Sequence, residues 1–185
     1  MEFYNKKKDI KYKQEEKEGI IEQGSFGFVF KVLELKTKKS YALKFFSIAK
    51  KDKEEIEKEF NKELNIMKAM NITKNKYIIE LKDNFFDENN NGYCIVMELC
   101  DGNLKDILDK KENKSGLPLN IINKIFMQLN EALKTMISKE IIHRDLKPEN
   151  ILIKYTDKNN FDCKPLAIKV NRKVYITKKS TDNID

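Results

Sequence analysis

Apolar residues recur along this chain with two different periods, and each change of period marks a new element. Between Ile20 and Phe46 the β-branched and aromatic residues cluster as Phe28-Val29-Phe30-Lys31-Val32-Leu33 and Tyr41-Ala42-Leu43-Lys44-Phe45, with Gly24 and Gly27 punctuating the first turn. That pattern predicts three short strands joined by tight turns. From Asp52 to Met70 the spacing becomes helical, with Ile56, Phe60, Leu64 and Met67 on one side and charges on the other. Asp52 followed by Glu55 predicts a capping-box-like start. Two more strands follow, Tyr77–Phe86 and Tyr93–Leu99, joined through Asp87–Gly92, which has hairpin-turn chemistry. Gly102 then precedes a short helix from Leu104 to about Lys111. A loop at Asn113–Gly116 leads into a helix whose apolar stripe runs through Ile122, Ile125, Phe126, Leu129, Leu133, Met136 and Ile137. Strands with one helix, then helices, predict an α+β fold in two lobes, without internal repeats.

Composition narrows the classes. The chain has 185 residues, of which 40% are hydrophobic and 36% charged. That suits one good core or two small lobes of a soluble protein. No apolar run approaches the roughly 18 residues a membrane span needs. The first 18 residues are charged throughout and read as a solvated tail, with neither an apolar signal segment nor a myristoylation glycine, since position 2 is Glu2. Three cysteines, Cys94, Cys100 and Cys163, form no C-x-x-C pair, which predicts a reducing, cytoplasmic setting. The net charge is +7, yet all but two of the 37 basic residues are lysines, the exceptions being Arg144 and Arg172. They are spread among acids and amides, unlike the clustered basic face of a nucleic-acid binder, so specific nucleic-acid binding is set aside. Lys6-Lys7-Lys8 reads as part of the solvated tail.

The chemistry concentrates in Ile141-Ile142-His143-Arg144-Asp145-Leu146-Lys147-Pro148-Glu149-Asn150-Ile151-Leu152. It has the catalytic-loop spacing H-R-D-x-x-x-x-N. Upstream, Glu22-Gln23-Gly24-Ser25-Phe26-Gly27-Phe28-Val29 follows G-x-G-x-x-G-x-V except that Glu22 replaces the first glycine. Tyr41-Ala42-Leu43-Lys44 follows V-A-I-K, and Ile95-Val96-Met97-Glu98-Leu99-Cys100 lies where a strand and hinge would run. In this order, from about Gly19 to Leu152, the motifs resemble a eukaryotic-type Ser/Thr protein kinase domain.

The resemblance implies a five-stranded antiparallel small lobe with one main helix (residues 19–99), followed by the first part of a mainly helical large lobe (100–170). It implies that Gly24, Ser25 and Gly27 present backbone N–H groups to phosphates, and that Val29 and Ala42 sandwich adenine. Backbone groups of Glu98 and Cys100 would bond the base behind Met97. Lys44 would grip the α- and β-phosphates and pair with Glu63; Glu59, one turn earlier, is the alternative partner. Asp145 would accept the substrate hydroxyl proton, Lys147 would neutralise γ-phosphate charge, and Asn150 would hold magnesium. His143, the chain's one histidine, takes a core role rather than that of the base. The implied cofactors are ATP and Mg, and the implied partner is a protein substrate, with the oligomeric state left open.

The resemblance stops after Ile153. The next strand is expected at Phe161-Asp162-Cys163-Lys164 or at Ala167-Ile168-Lys169-Val170, and under either alignment no Asp-Phe-Gly occurs; the second puts Arg172 and Lys173 in its place. Residues 171–185 read as a polar tail. Without that motif, magnesium loses its main carboxylate and phosphoryl transfer loses a large electrostatic contribution. The Ile125–Ile137 stripe is expected to stay partly exposed. Two functional readings follow: a truncated Ser/Thr kinase copy of impaired activity, or a pseudokinase-type regulatory binding module. The intact Asp145 favours the first.

Overall fold

The computed structural model describes residues 1–15, 20–23, 27–48, 52–157 and 160–165. The first two strands, β1 (Glu2–Asn5) and β2 (Ile10–Gln14), pair as an antiparallel hairpin. Over residues 2–14 this corrects the solvated tail expected for the first 18 residues, of which 16–18 lie outside the described residues. The physical reason is a period of two hidden among lysines. Phe3, Asn5 and Tyr12 point inward and are almost fully buried, while the charged residues between them face water.

The hairpin extends a seven-stranded sheet where five strands were expected. Its other members are β3 (Ile20–Gln23), β4 (Phe28–Glu34), β5 (Ser40–Ser47), β6 (Leu81–Asp87) and β7 (Gly92–Glu98). The order is β1-β2-β4-β5-β7-β6, with β3 also paired to β4. Each face of this sheet carries a core. Leu43 and Phe45 of β5 join Phe3, Tyr12, Phe30 and Val96 on one side. Ala42 and Phe46 join the opposite core, against helix α1 (Lys53–Asn71). Lys44 alternates onto the same face as Ala42 and Phe46, toward the helix. Ile56, Phe60, Leu64 and Met67 form the buried stripe that periodicity required. Asp52 caps α1 by accepting from the Glu54 N–H at 2.9 Å, one residue before the position a capping box uses.

The second lobe begins at β8 (Gly102–Asn103) and α2 (Leu104–Leu108), where Asn103 and Asp106 make a reciprocal capping box. Helix α3 (Leu119–Ser138) follows, then a 3-10 turn at Pro148–Asn150 and the hairpin β9 (Ile151–Asp157) and β10 (Asn160–Pro165). The second sheet runs β10-β9-β8. Of the two expected positions for the returning strand, the first is found; residues 167–170 lie outside those described, as does the 171–185 tail. Ala132 and Met136 of α3, with Ile141, enter the same core as α1, so one apolar cluster joins the lobes. Elsewhere along the α3 stripe Ile125 is buried in a second-lobe core and Leu129 and Leu133 are half-buried, while Phe126 is 68% and Ile137 73% exposed. No helix among the described residues is long and apolar enough to cross a membrane.

Candidate functional site

Two polar groups form at the junction of the lobes. In the first, Lys44 Nζ lies 2.5 Å from Glu63 Oε2, with side-chain exposures of 19% and 10%. Strand alternation aims the lysine at α1, and helical spacing sets Glu63 among that helix's buried residues. The Phe46 ring centroid lies 5.0 Å from the same Nζ. Glu59, the alternative partner, instead meets Lys62 at 3.5 Å.

The second group surrounds Asp145. Asn150 is buried and donates from Nδ2 to the Asp145 carbonyl at 2.8 Å and to its Oδ2 at 2.7 Å. Lys147 Nζ is 3.5 Å from the same Oδ2. The backbone is bent to allow this: Arg144 sits at φ 63, and the Asp145 N–H donates to the His143 carbonyl at 2.9 Å. Such left-handed geometry is costly for a residue other than glycine. His143 is 5% exposed, beneath the loop.

Between these groups lies apolar surface. Ala42 and Met97 are buried and paired in register across β5 and β7. Val29, Cys100 and Leu152 pack half-buried against the same cluster. Leu152 was not among the residues singled out from sequence. Its signal was its place two residues beyond Asn150, which alternation along β9 carries to the side of the lobe junction. Burial, reinforced by the Glu98 charge, pushes the Cys100 thiol up to about 12, so it behaves as a small apolar residue. Glu98 directs its carboxylate to Lys164, 2.7 Å away and 8% exposed, a contact that sequence reasoning missed.

Gly24 and Ser25 lie outside the described residues. Gly27 is described, and its surroundings explain it: a Cβ there would stand 2.1 Å from the Phe45 carbonyl oxygen. The absence of a side chain is thus required by the neighbouring strand, apart from any phosphate.

The donor set discriminates between the two implied ligands. The apolar side chains of Val29, Ala42, Met97 and Leu152 have the chemistry to face a base, and the Lys44 ammonium the charge to face an anionic phosphate chain. For magnesium, the described residues offer the Asn150 amide with the Asp145 carboxylate beside it, and no group of three or more His, Cys, Asp or Glu side chains suited to a metal occurs among them. The described residues therefore fit a nucleotide and leave a magnesium site incomplete.

The paired lysine and glutamate, the Asp145–Asn150 loop and the two-lobed fold define a phosphotransferase-type architecture. The sequence model of the protein kinase domain matches residues 15–171, and the chain belongs to the protein kinase family. It is 37% identical over 134 residues to serine/threonine-protein kinase TIO of Arabidopsis thaliana, covering 72% of this chain and 10% of that protein. With serine/threonine-protein kinase 33 of Mus musculus it shares 35% identity over 144 residues, 76% of this chain and 28% of the relative. Cyclin-dependent kinase-like 5 of Homo sapiens is 31% identical over 139 residues, 75% of this chain and 14% of that protein. The chain thus spans less than a third of the length of these relatives.

Proposed function

We propose that this chain binds ATP between the Lys44–Glu63 pair and the Asp145–Asn150 loop, as a Ser/Thr protein-kinase-type domain. The adenine lies between Val29, Ala42 and Leu152, with its edge toward the backbone of Glu98 and Cys100. Lys44 contacts the α- and β-phosphates, and Gly24, Ser25 and Gly27 cover them. Asp145 accepts the proton of a protein Ser or Thr hydroxyl, and Lys147 offsets charge on the γ-phosphoryl group. Asn150 would offer its amide oxygen to a magnesium ion, at a site the described residues leave incomplete. The observation that carries this reading is the 2.5 Å Lys44–Glu63 pair, because a lysine beside apolar surface is held ready for phosphate only when a carboxylate orients it. The sequence carries no Asp-Phe-Gly, so transfer by these residues is slow. The three free thiols suit a reducing intracellular compartment.

Calorimetric titration with ATP tests the binding step, and label transfer from γ-labelled ATP to a Ser/Thr-containing protein tests the chemistry. ATP is expected to bind, and Lys44→Met to weaken it by more than about tenfold. Any transfer is expected to vanish in Asp145→Asn. No binding at millimolar ATP would refute the proposal. ATP binding indifferent to magnesium, with no transfer, would favour the regulatory binding module instead.

A further inference from the structure

The segment that leaves β7 is gripped from the second lobe by two lysines that the nucleotide reading does not use. Lys154 on β9 donates from Nζ to the Leu99 carbonyl at 2.7 Å. Lys164 on β10 is buried, and its Nζ lies 2.7 Å from Glu98 Oε1 and 3.4 Å from the Ile78 carbonyl. The same Glu98 oxygen accepts the Glu80 N–H at 2.8 Å, and the Glu98 N–H donates to the Glu80 carbonyl at 3.0 Å. Beyond them, the Asp101 N–H donates to the Ile153 carbonyl at 2.8 Å, and Asp101 Oδ2 accepts the Tyr155 N–H at 2.8 Å. Residues 98, 99 and 101 are therefore each tied by hydrogen bonds to β9, to β10 or to Glu80 just before β6. Cys100 stands between them, its backbone in no hydrogen bond to any described residue.

Cys100 is half-buried, and a peptide group left open there between pinned neighbours is available to bond a ligand. We propose that Lys154 and Lys164 are positioning residues that fix the 98–101 segment so that the Cys100 peptide group meets the edge of a purine base. The proposal rests on the reading that the cleft takes ATP. Neither lysine touches the nucleotide; both act through the backbone they hold. Base recognition in this chain then depends on the β9–β10 hairpin of the second lobe, while phosphate recognition depends on Lys44 of the first.

That division is testable. Adenosine probes the base edge alone, and inorganic tripolyphosphate probes the phosphate side alone. Lys154 is the safer site, because its side chain is 38% exposed. Lys154→Met is expected to weaken adenosine about tenfold while tripolyphosphate affinity and melting temperature hold, with Lys154→Arg restoring adenosine binding. For the buried pair, Glu98→Gln combined with Lys164→Met removes both charges and keeps an acceptor for the Glu80 N–H; the same selective loss of adenosine is expected. Amide exchange at Asp101, whose N–H is bonded to the Ile153 carbonyl, measured without ligand, is expected to quicken in each variant. Unchanged adenosine affinity in folded Lys154→Met overturns the proposal, as does an equal loss for tripolyphosphate. A wild-type chain binding neither ATP nor adenosine refutes the nucleotide reading itself. Exchange then decides whether the clamp exists independently: an unchanged rate at Asp101 overturns it, and a faster rate sustains it.

Discussion

Asn5 donates its side-chain amide to Asp83 Oδ2 at 2.8 Å across 78 positions of the chain, and both residues are buried. Tyr12 reaches the same oxygen with its hydroxyl at 3.1 Å, and Lys8 lies 2.6 Å from Oδ1. One carboxylate at the β6 register shift thus gathers three donors from the N-terminal hairpin. β1 and β6 lie at opposite ends of the strand order, so this contact curls the sheet around the Phe3 core.

Asp83→Ala strands a buried amide and a buried hydroxyl, and is expected to cost about 2–4 kcal/mol in urea unfolding. Asp83→Asn keeps an acceptor and is expected to cost roughly half as much. Phe3→Ala should cost about 3–5 kcal/mol by opening a cavity in that core. Values near zero for both Asp83→Ala and Phe3→Ala would show that the hairpin does not belong to the cooperative fold.

Alkaline pH should weaken the fold. Burial, then the Asp83 charge, raises the Tyr12 phenol far above its ordinary 10.0. Burial likewise pushes the Cys100 and Cys163 thiols from 9.0 up to about 12. Each group is neutral when protonated, so the folded chain holds its proton more tightly than the unfolded chain does. Below the ordinary values both states are protonated and the full stability is present. As pH rises past about 9 the unfolded thiols ionise first, and past about 10 the unfolded phenol does, so stability declines. Urea titrations from pH 8 to 11 should show the fall, and Tyr12→Phe or Cys163→Ala should flatten it. A profile equally steep in these variants would assign the loss to other groups.

Gly27→Ala and Gly116→Ala separate crowding from strain. At Gly27 the new methyl would meet backbone, the Phe45 oxygen at 2.1 Å and its carbon at 3.0 Å, so strands must part; a loss of about 2–3 kcal/mol is expected. Gly116 has open space but φ +103, so the cost there is conformational, about 1 kcal/mol. Thermal unfolding should rank Gly27→Ala well below Gly116→Ala.

What the sequence made legible was local. Helix α1 and the placement of Glu63 follow from the 3.6-residue recurrence of Ile56, Phe60, Leu64 and Met67, and strand alternation set Lys44 on the matching face. The N-terminal hairpin escaped because Phe3, Asn5 and Tyr12 are few inward residues diluted among lysines. Their pattern is too short to outweigh composition, and their polar partner is Asp83, far along the chain. Lys164 escaped for the same reason. Its 66-residue separation from Glu98 gives no local periodicity, and a lysine in a basic sequence carries no mark of being buried. A lysine is ordinarily solvated, and Lys164, buried inside the second lobe, departs from that rule.

Gln128 offers a final test, because it links α3 to that lysine's strand. Its Oε1 accepts the Cys163 N–H at 2.8 Å, and its Nε2 donates to the Phe161 carbonyl at 3.1 Å, so one side-chain amide stands where another strand would pair with β10. Gln128→Leu keeps the volume and leaves both buried backbone groups unpaired, at an expected cost of about 2–3 kcal/mol. Amide exchange at Cys163 should quicken by more than about tenfold, since its acceptor is gone. Lys164 follows Cys163 on the same strand, so a loosened β10 also loosens its hold on Glu98, and adenosine binding should weaken together with Cys163 protection. Protection lost with adenosine affinity intact would mean that the edge of β10 and the 98–101 segment move independently.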